Sequence, residues 1–339
     1  MRSPAPYLLC LLFIGSAHAR ELEVDRLGSG PYKTLKSAAK AAEPGDVIRV
    51  KPGSGPYREI LRIEKSGEPG KPIVFDGGRN LITAFEPMEG WVEKDGAVSH
   101  PLTKFPRVIT YQGERLVQDF ATGEFTKYAD LNEAKDALTL RPGVGREGWE
   151  ISKRDFAVEI KNVSHHLYRN VRASGSTNDG FNLHGTGSDL VFENIEGFHN
   201  KDEGFSSHDS IQVEIRGGKF WGNDNGIANS FKTMDVVSNV LKDIDVYDNL
   251  GRGLNLHDCV AVVENLRAWN NGVTQLRFAK TVVTGKNIVA YTPPFKTRPW
   301  TSYHDTRSAP AEAPATTICE VKESKMEGAE PVVKGEPRP

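Results

Sequence analysis

Asn178-Asp-Gly-Phe-Asn-Leu-His184 is answered one repeat later by Lys201-Asp-Glu-Gly-Phe-Ser-Ser-His208, then by Asn225-Gly-Ile227 and Arg252-Gly-Leu254. Each stretch sets a glycine before a large apolar residue. A second anchor runs in phase with the first. Asn170-Val-Arg-Ala173 returns as Asn194-Ile-Glu-Gly197, Gly217-Gly-Lys-Phe220, Asp243-Ile-Asp-Val246 and Asn265-Leu-Arg-Ala268, at intervals of 24, 23, 26 and 22 residues. A repeat this short cannot bury an apolar face alone, so its copies stack into a solenoid. Between the anchors lie short alternating runs such as Leu190-Val-Phe-Glu-Asn-Ile195, punctuated by Gly, Asn and Asp. Alternation of this kind reads as strand rather than helix. The Leu-x-x-Leu-x-Leu frame of the rival leucine-rich repeat is absent. Asn170, Asn194, Asp243 and Asn265 are expected to stack as a polar ladder at one turn.

Outward from the repeat, Tyr32 to Ala42 reads as a short amphipathic helix, and Gly45-Asp-Val-Ile-Arg-Val50 as a strand. Such a helix would cover the open end of the solenoid. Residues 96–150 break the rhythm and are expected to be an insertion or irregular coils, between first coils at 20–95 and regular coils at 151–292. From 293 to 339 the chain is rich in Pro, Ala and charge, the composition of a tail that is disordered or packed loosely on the last coil.

Residues 1–19 read as a secretory signal peptide: a cationic start, the apolar run Tyr7 to Ile14, and Ala17-His-Ala19 as the cleavage pattern. A spanning helix needs roughly 20 apolar residues, so no membrane span is expected once the leader is removed. The expected location is outside the cytoplasm, secreted or periplasmic. Forty-three basic residues against 45 acidic ones give a net charge of −2, which argues against nucleic acid as a partner. Cys259 and Cys319 are read as free thiols, since Cys10 falls in the leader.

The stretch Tyr32-Lys-Thr-Leu, Pro44-Gly-Asp-Val-Ile, Gly53, Pro56-Tyr57 and Lys71-Pro-Ile-Val, together with the repeats, resembles secreted bacterial proteins of the pectate-lyase-like superfamily. The resemblance covers about residues 28–292 and implies an all-β fold: a right-handed parallel β-helix with an N-terminal capping helix. Asp179-Gly-Phe181 and Asp202-Glu-Gly-Phe205 further resemble motifs of polysaccharide lyase family nine. That similarity implies that Asp179, Asp202 and Glu203 hold Ca²⁺. The family's fourth acidic ligand falls on Ser206, and its catalytic lysine on Ala228.

If Phe181, Phe205, Ile227 and Leu254 point inward, strand alternation sets two outward rows. The first is Asn182, Ser206, Ala228 and Asn255; the second is His184, His208, Ser230 and His257. His184 or His208 is then the expected base in place of the missing lysine, because a neutral imidazole among carboxylates can take a proton near neutral pH. Trp221, Tyr247 and Trp269, headed by His199, form an expected outward aromatic stripe for sugar rings. Arg252 and His257 join them as expected substrate contacts.

The reading is a secreted monomer acting on an acidic polysaccharide by β-elimination. The alternative is a β-helix that binds glycans without cleaving them. A glycoside hydrolase using Asp179 with Asp202, or Asp202 with Asp224, comes third.

Overall fold

The computed structural model describes residues 19–28, 30–103, 108–116, 128–134, 136–291 and 317–335. The leader therefore lies almost wholly outside the described residues, as does 292–316. Among the described residues no helix is long and apolar enough to cross a membrane.

The chain winds as a parallel β-helix. Every repeat contributes one residue to each of several parallel ladders. On one face Val158, Phe181, Phe205, Ile227, Leu254, Leu276 and Cys319 stand in register from coil to coil. On another, Tyr168, Phe192, Ile215, Leu241 and Val263 do the same. All of these but the half-buried Cys319 are almost fully buried, in one continuous core that also takes in Val24, Ile48 and Ala290. Phe181, Phe192 and Phe205 meet edge to face or tilted inside it. The helix Leu35–Ala41 starts at Thr34, whose side chain accepts from Ser37 N, and buries Leu35, Ala38 and Ala39. Those side chains belong to the same core.

Two side-chain ladders hold the coils in register. The outer one runs Asn170–Asn194 at 2.8 Å and Asp243–Asn265–Asn287 at 2.9 Å per step. Its members have φ between 51° and 58°, and Gly217 fills the same slot at 75°. Asn and Asp tolerate this left-handed conformation better than other side chains, which is why they recur there. The inner ladder, Asn200, Asn223, Asn249 and Asn271, is fully buried. Each amide donates to the next at 2.8–3.1 Å, and the last to Gln275 at 2.7 Å. Each carbonyl also accepts a backbone N–H from the coil before, as Asn223 does from Asn200 N.

The inner ladder explains the anchor glycines. A Cβ at Gly204 would stand 2.7 Å from Gly226 O and 2.8 Å from Asn223 Nδ2. Gly180, Gly226 and Gly253 meet the same two kinds of neighbour. The glycine leaves room for the amide of the next repeat.

Between Phe85 and Ser152 the chain leaves the solenoid and forms two antiparallel sheets, one holding Phe85–Pro87, Ile109–Tyr111, Glu114–Leu116 and Trp149–Ser152. They enclose a second core around Trp149, Ile109, Leu138 and Leu116. This module starts earlier than the boundary at 96 read from the sequence. Within the tail, disorder does not hold for the described residues: Thr317–Lys322, Lys325–Glu327 and Val332–Lys334 pair in parallel with Thr274–Tyr291 and add a further coil. Ile318, Cys319 and Met326 pack against the core, so a few apolar side chains at solenoid spacing suffice to extend it. Both cysteines are free.

Candidate functional site

Asp179 closes the turn before the strand Phe181–His184, and Asp202 with Glu203 occupies the same place one coil on. Oxygen atoms of all three carboxylates lie within 4.8 Å of one another. Each residue is less than a tenth exposed. Asn182 Nδ2 donates to Asp179 Oδ2 at 2.8 Å, and Glu203 N donates to Asp179 Oδ1 at 3.2 Å. Asn225, one coil further, donates to Glu203 Oε1 at 2.9 Å. Burial pushes the Asp179 carboxyl up from the ordinary range. A hydrogen bond with Glu203 opposes that rise, and the charge of Asp202 adds to it. Three buried carboxylates repel one another, and a divalent cation with a preference for oxygen is the natural countercharge. The donor set fits Ca²⁺.

The rows expected from alternation stand in register, but the first is not outward: Asn182, Ser206 and Ala228 are buried, and only Asn255 is half-buried. Asn182, Ser206, Ala228 and Asn255 are register partners in sequence. His184 and His208 lie ring to ring, 5.1 Å between centroids, and Ser230 pairs with His257. The imidazoles are held differently. His208 is hydrogen-bonded through both nitrogens, Nε2 to Ser206 Oγ at 2.7 Å and Nδ1 to Ser230 Oγ at 3.0 Å. Burial, and then the neighbouring His184 and His257, lower its pKa to about 4. His184 is 44% exposed at its side chain and engages only Nδ1, with Asp209 Oδ2 at 3.3 Å. Asp209 therefore orients the histidine one coil before it, not its own predecessor. His257 pairs with the adjacent Asp258 at 3.1 Å.

Ser206 and Ala228 stand where the lyase motif would place a ligand and a lysine. The Ser206 hydroxyl is taken by His208. A cation does share the histidine row: Lys161 is the register partner of His184 and is exposed. Its coil precedes the clear repeats, so the anchors did not reach it. Arg252 lies one coil beyond Asn225, and its backbone N–H bonds Asn225 Oδ1 at 2.9 Å.

The aromatic stripe is corrected in membership and in use. Its first ring is Phe198, which is in register with Trp221, whereas His199 turns away at a φ of 54°. Phe198, Trp221, Tyr247 and Trp269 stack face to face, with centroids 4.5, 5.7 and 4.5 Å apart and planes within 3° of parallel. Arg172 covers the outer face of Phe198 at 5.3 Å, and Arg267 lies 5.9 Å from the centroid of Trp269. The faces of Trp221 and Tyr247 are thus occupied by neighbouring rings, and only ring edges remain outside the stack. It ends one set of strands, and the acidic residues open the next, with the buried asparagine corner between them.

The antiparallel module reaches this corner. Arg115 donates to Gly222 O, and its charge bears on both Asp224 and His199. Burial lowers the guanidinium to about 10. The segment between Phe85 and Ser152 therefore lies beside the acidic coils and contributes a cation to them.

No protein-family model matches the chain, and no curated protein matches it. Among solved structures, XylC in complex with xylose is similar over 80% of this chain and 69% of its own, at 11% identity and a TM-score of 0.49. Pectate lyase Pel9A is similar over 82% of this chain and 70% of its own, at 16% identity and a TM-score of 0.39. A glycoside hydrolase covers 91% and 96%, at 9% identity and a TM-score of 0.44. The fold assignment rests on the strand register above, and the chemistry rests on the side chains.

Proposed function

We propose that the chain is a secreted polysaccharide lyase-like protein that cleaves an acidic glycan by β-elimination. The observation that carries this reading is a buried carboxylate triad one short strand away from two adjacent, tilted histidines. Asp179, Asp202 and Glu203 would hold Ca²⁺, which neutralises a uronate carboxylate and acidifies the proton α to it. His184 takes that proton: it is exposed, and Asp209 fixes its tautomer with a proton on Nδ1 and a lone pair on Nε2. The C–H electron pair becomes the new C=C as the C–O bond β to the carboxylate breaks, and the departing oxygen takes a proton from water. This leaves an unsaturated sugar and a free hydroxyl, after which His184 returns its proton to solvent. His208, neutral and tied at both nitrogens, holds His184 in place rather than accepting the proton. Arg252 and His257 serve the flanking sugars.

The test is the ultraviolet absorbance of the unsaturated product while the purified chain meets polygalacturonate, alginate and a glycosaminoglycan, with calcium and then with chelator. A calcium-dependent rise supports the lyase. A flat trace with measurable glycan binding and unchanged reducing ends moves the function to the non-catalytic binder.

A further inference from the structure

The two rows change character toward the C-terminal coils. In the first row Asn255 is followed by Arg277, and in the second His257 is followed by Ala279 and then Lys322. The turn after these rows carries Asp209, Asp258, Lys280 and Glu323, all with φ between 51° and 62°. A lysine thus takes a place that aspartate holds on earlier coils. Asn255, His257, Arg277, Lys280 and Lys322 line a trough of about 490 Å³, and Asp258 and Glu323 line it with them. Asp258 is engaged by His257, and Arg277 is steadied by Asn255 at 2.8 Å and Glu320 at 3.3 Å. Lys280 and Lys322 are exposed and have no carboxylate partner among the described residues. The trough sits three coils beyond Glu203, about 14 Å along the axis at the usual strand spacing.

We infer that this trough is a distal subsite for an anionic group, a carboxylate or sulfate, on a glycan lying along the solenoid axis. It rests on the reading that the glycan engages the His184 face, and extends it to a second anchoring point several sugars away. Lys280 and Lys322 supply the mobile charge, beside Arg277, which Asn255 and Glu320 hold in place.

The probe is a long polygalacturonate oligomer, with a neutral galactan oligomer as control, and binding is measured by calorimetry at low salt. Lys280→Glu/Lys322→Glu should weaken the acidic oligomer by about tenfold and leave the neutral one unchanged. Lys219→Glu/Lys286→Glu makes the same change in net charge at exposed positions on another face and should cost less than about twofold. Equal losses in both double variants, no loss in either, or no binding of any acidic glycan by the wild type would overturn the subsite. Weakened binding without any unsaturated product would leave the subsite standing and remove the lyase reading. Product formation with unchanged affinity would do the reverse.

Discussion

The imidazoles of His184 and His208 lie 5.1 Å apart on adjacent coils, yet one is pinned at both nitrogens and the other at one. That difference separates a side chain that can exchange protons from one that keeps its place.

His208 should make the fold acid-sensitive. Its folded pKa of about 4 lies below the 6.5 of a free imidazole, so the unfolded chain binds the proton more readily. Stability is then complete above about pH 6.5 and falls as pH drops toward 4, by up to about 3 kcal/mol for this one group. His166 and His199 are lowered to about 4 as well and act in the same direction. Thermal melts across this window should show the slope, and His208→Gln should flatten part of it. Identical slopes would remove His208 from the account.

His184→Ala should lower the rate of unsaturated-product formation by roughly 10² to 10⁴, the range for loss of a general base. Asp209→Asn should cause a smaller loss, because it disturbs the tautomer and leaves the ring. Full turnover in His184→Ala would exclude it as the base.

Calcium should raise the melting temperature of the wild type, since a ligand bound only by the folded state stabilises it by mass action. Glu203→Gln and Asp202→Asn should lose most of that rise. An equal rise in both variants would place any bound calcium elsewhere.

Asn223→Ala should destabilise the chain by at least about 2 kcal/mol in urea unfolding, because the amide serves Asn200, Asn249 and Gly197 O at once and their partners would be left buried and unpaired. Gly204→Ala should be worse, since its methyl would press on backbone and ladder together. A neutral result for both would mean that the inner ladder does not set the register.

The solenoid and its rows were legible because period and alternation are properties of the sequence itself. Phe181, Phe205, Ile227 and Leu254 announce the inward line, and counting from them finds Asn182, His184, Ser206 and His208. The buried asparagines were equally periodic, but polar residues between strands read as turn punctuation, and their burial is visible only once the coils close. The first ring of the stripe is also legible in the spacing, since Phe198, Trp221, Tyr247 and Trp269 each stand four residues after their anchors Asn194, Gly217, Asp243 and Asn265, and His199 lies one place beyond. Arg115 could not be reached by counting at all. Its place depends on how an antiparallel module of different period folds back on the helix.

The stacked column Phe198–Trp221–Tyr247–Trp269 has an optical consequence. Aromatic rings held parallel at these separations couple their electronic transitions, so the column should give the folded chain a near-ultraviolet dichroism signature. Each ring comes from a different coil, and the signature exists only while those coils keep their axial register. The protein thus carries a built-in reporter of slippage: a fraying or shifted coil would dim it before the bulk β-sheet signal changed.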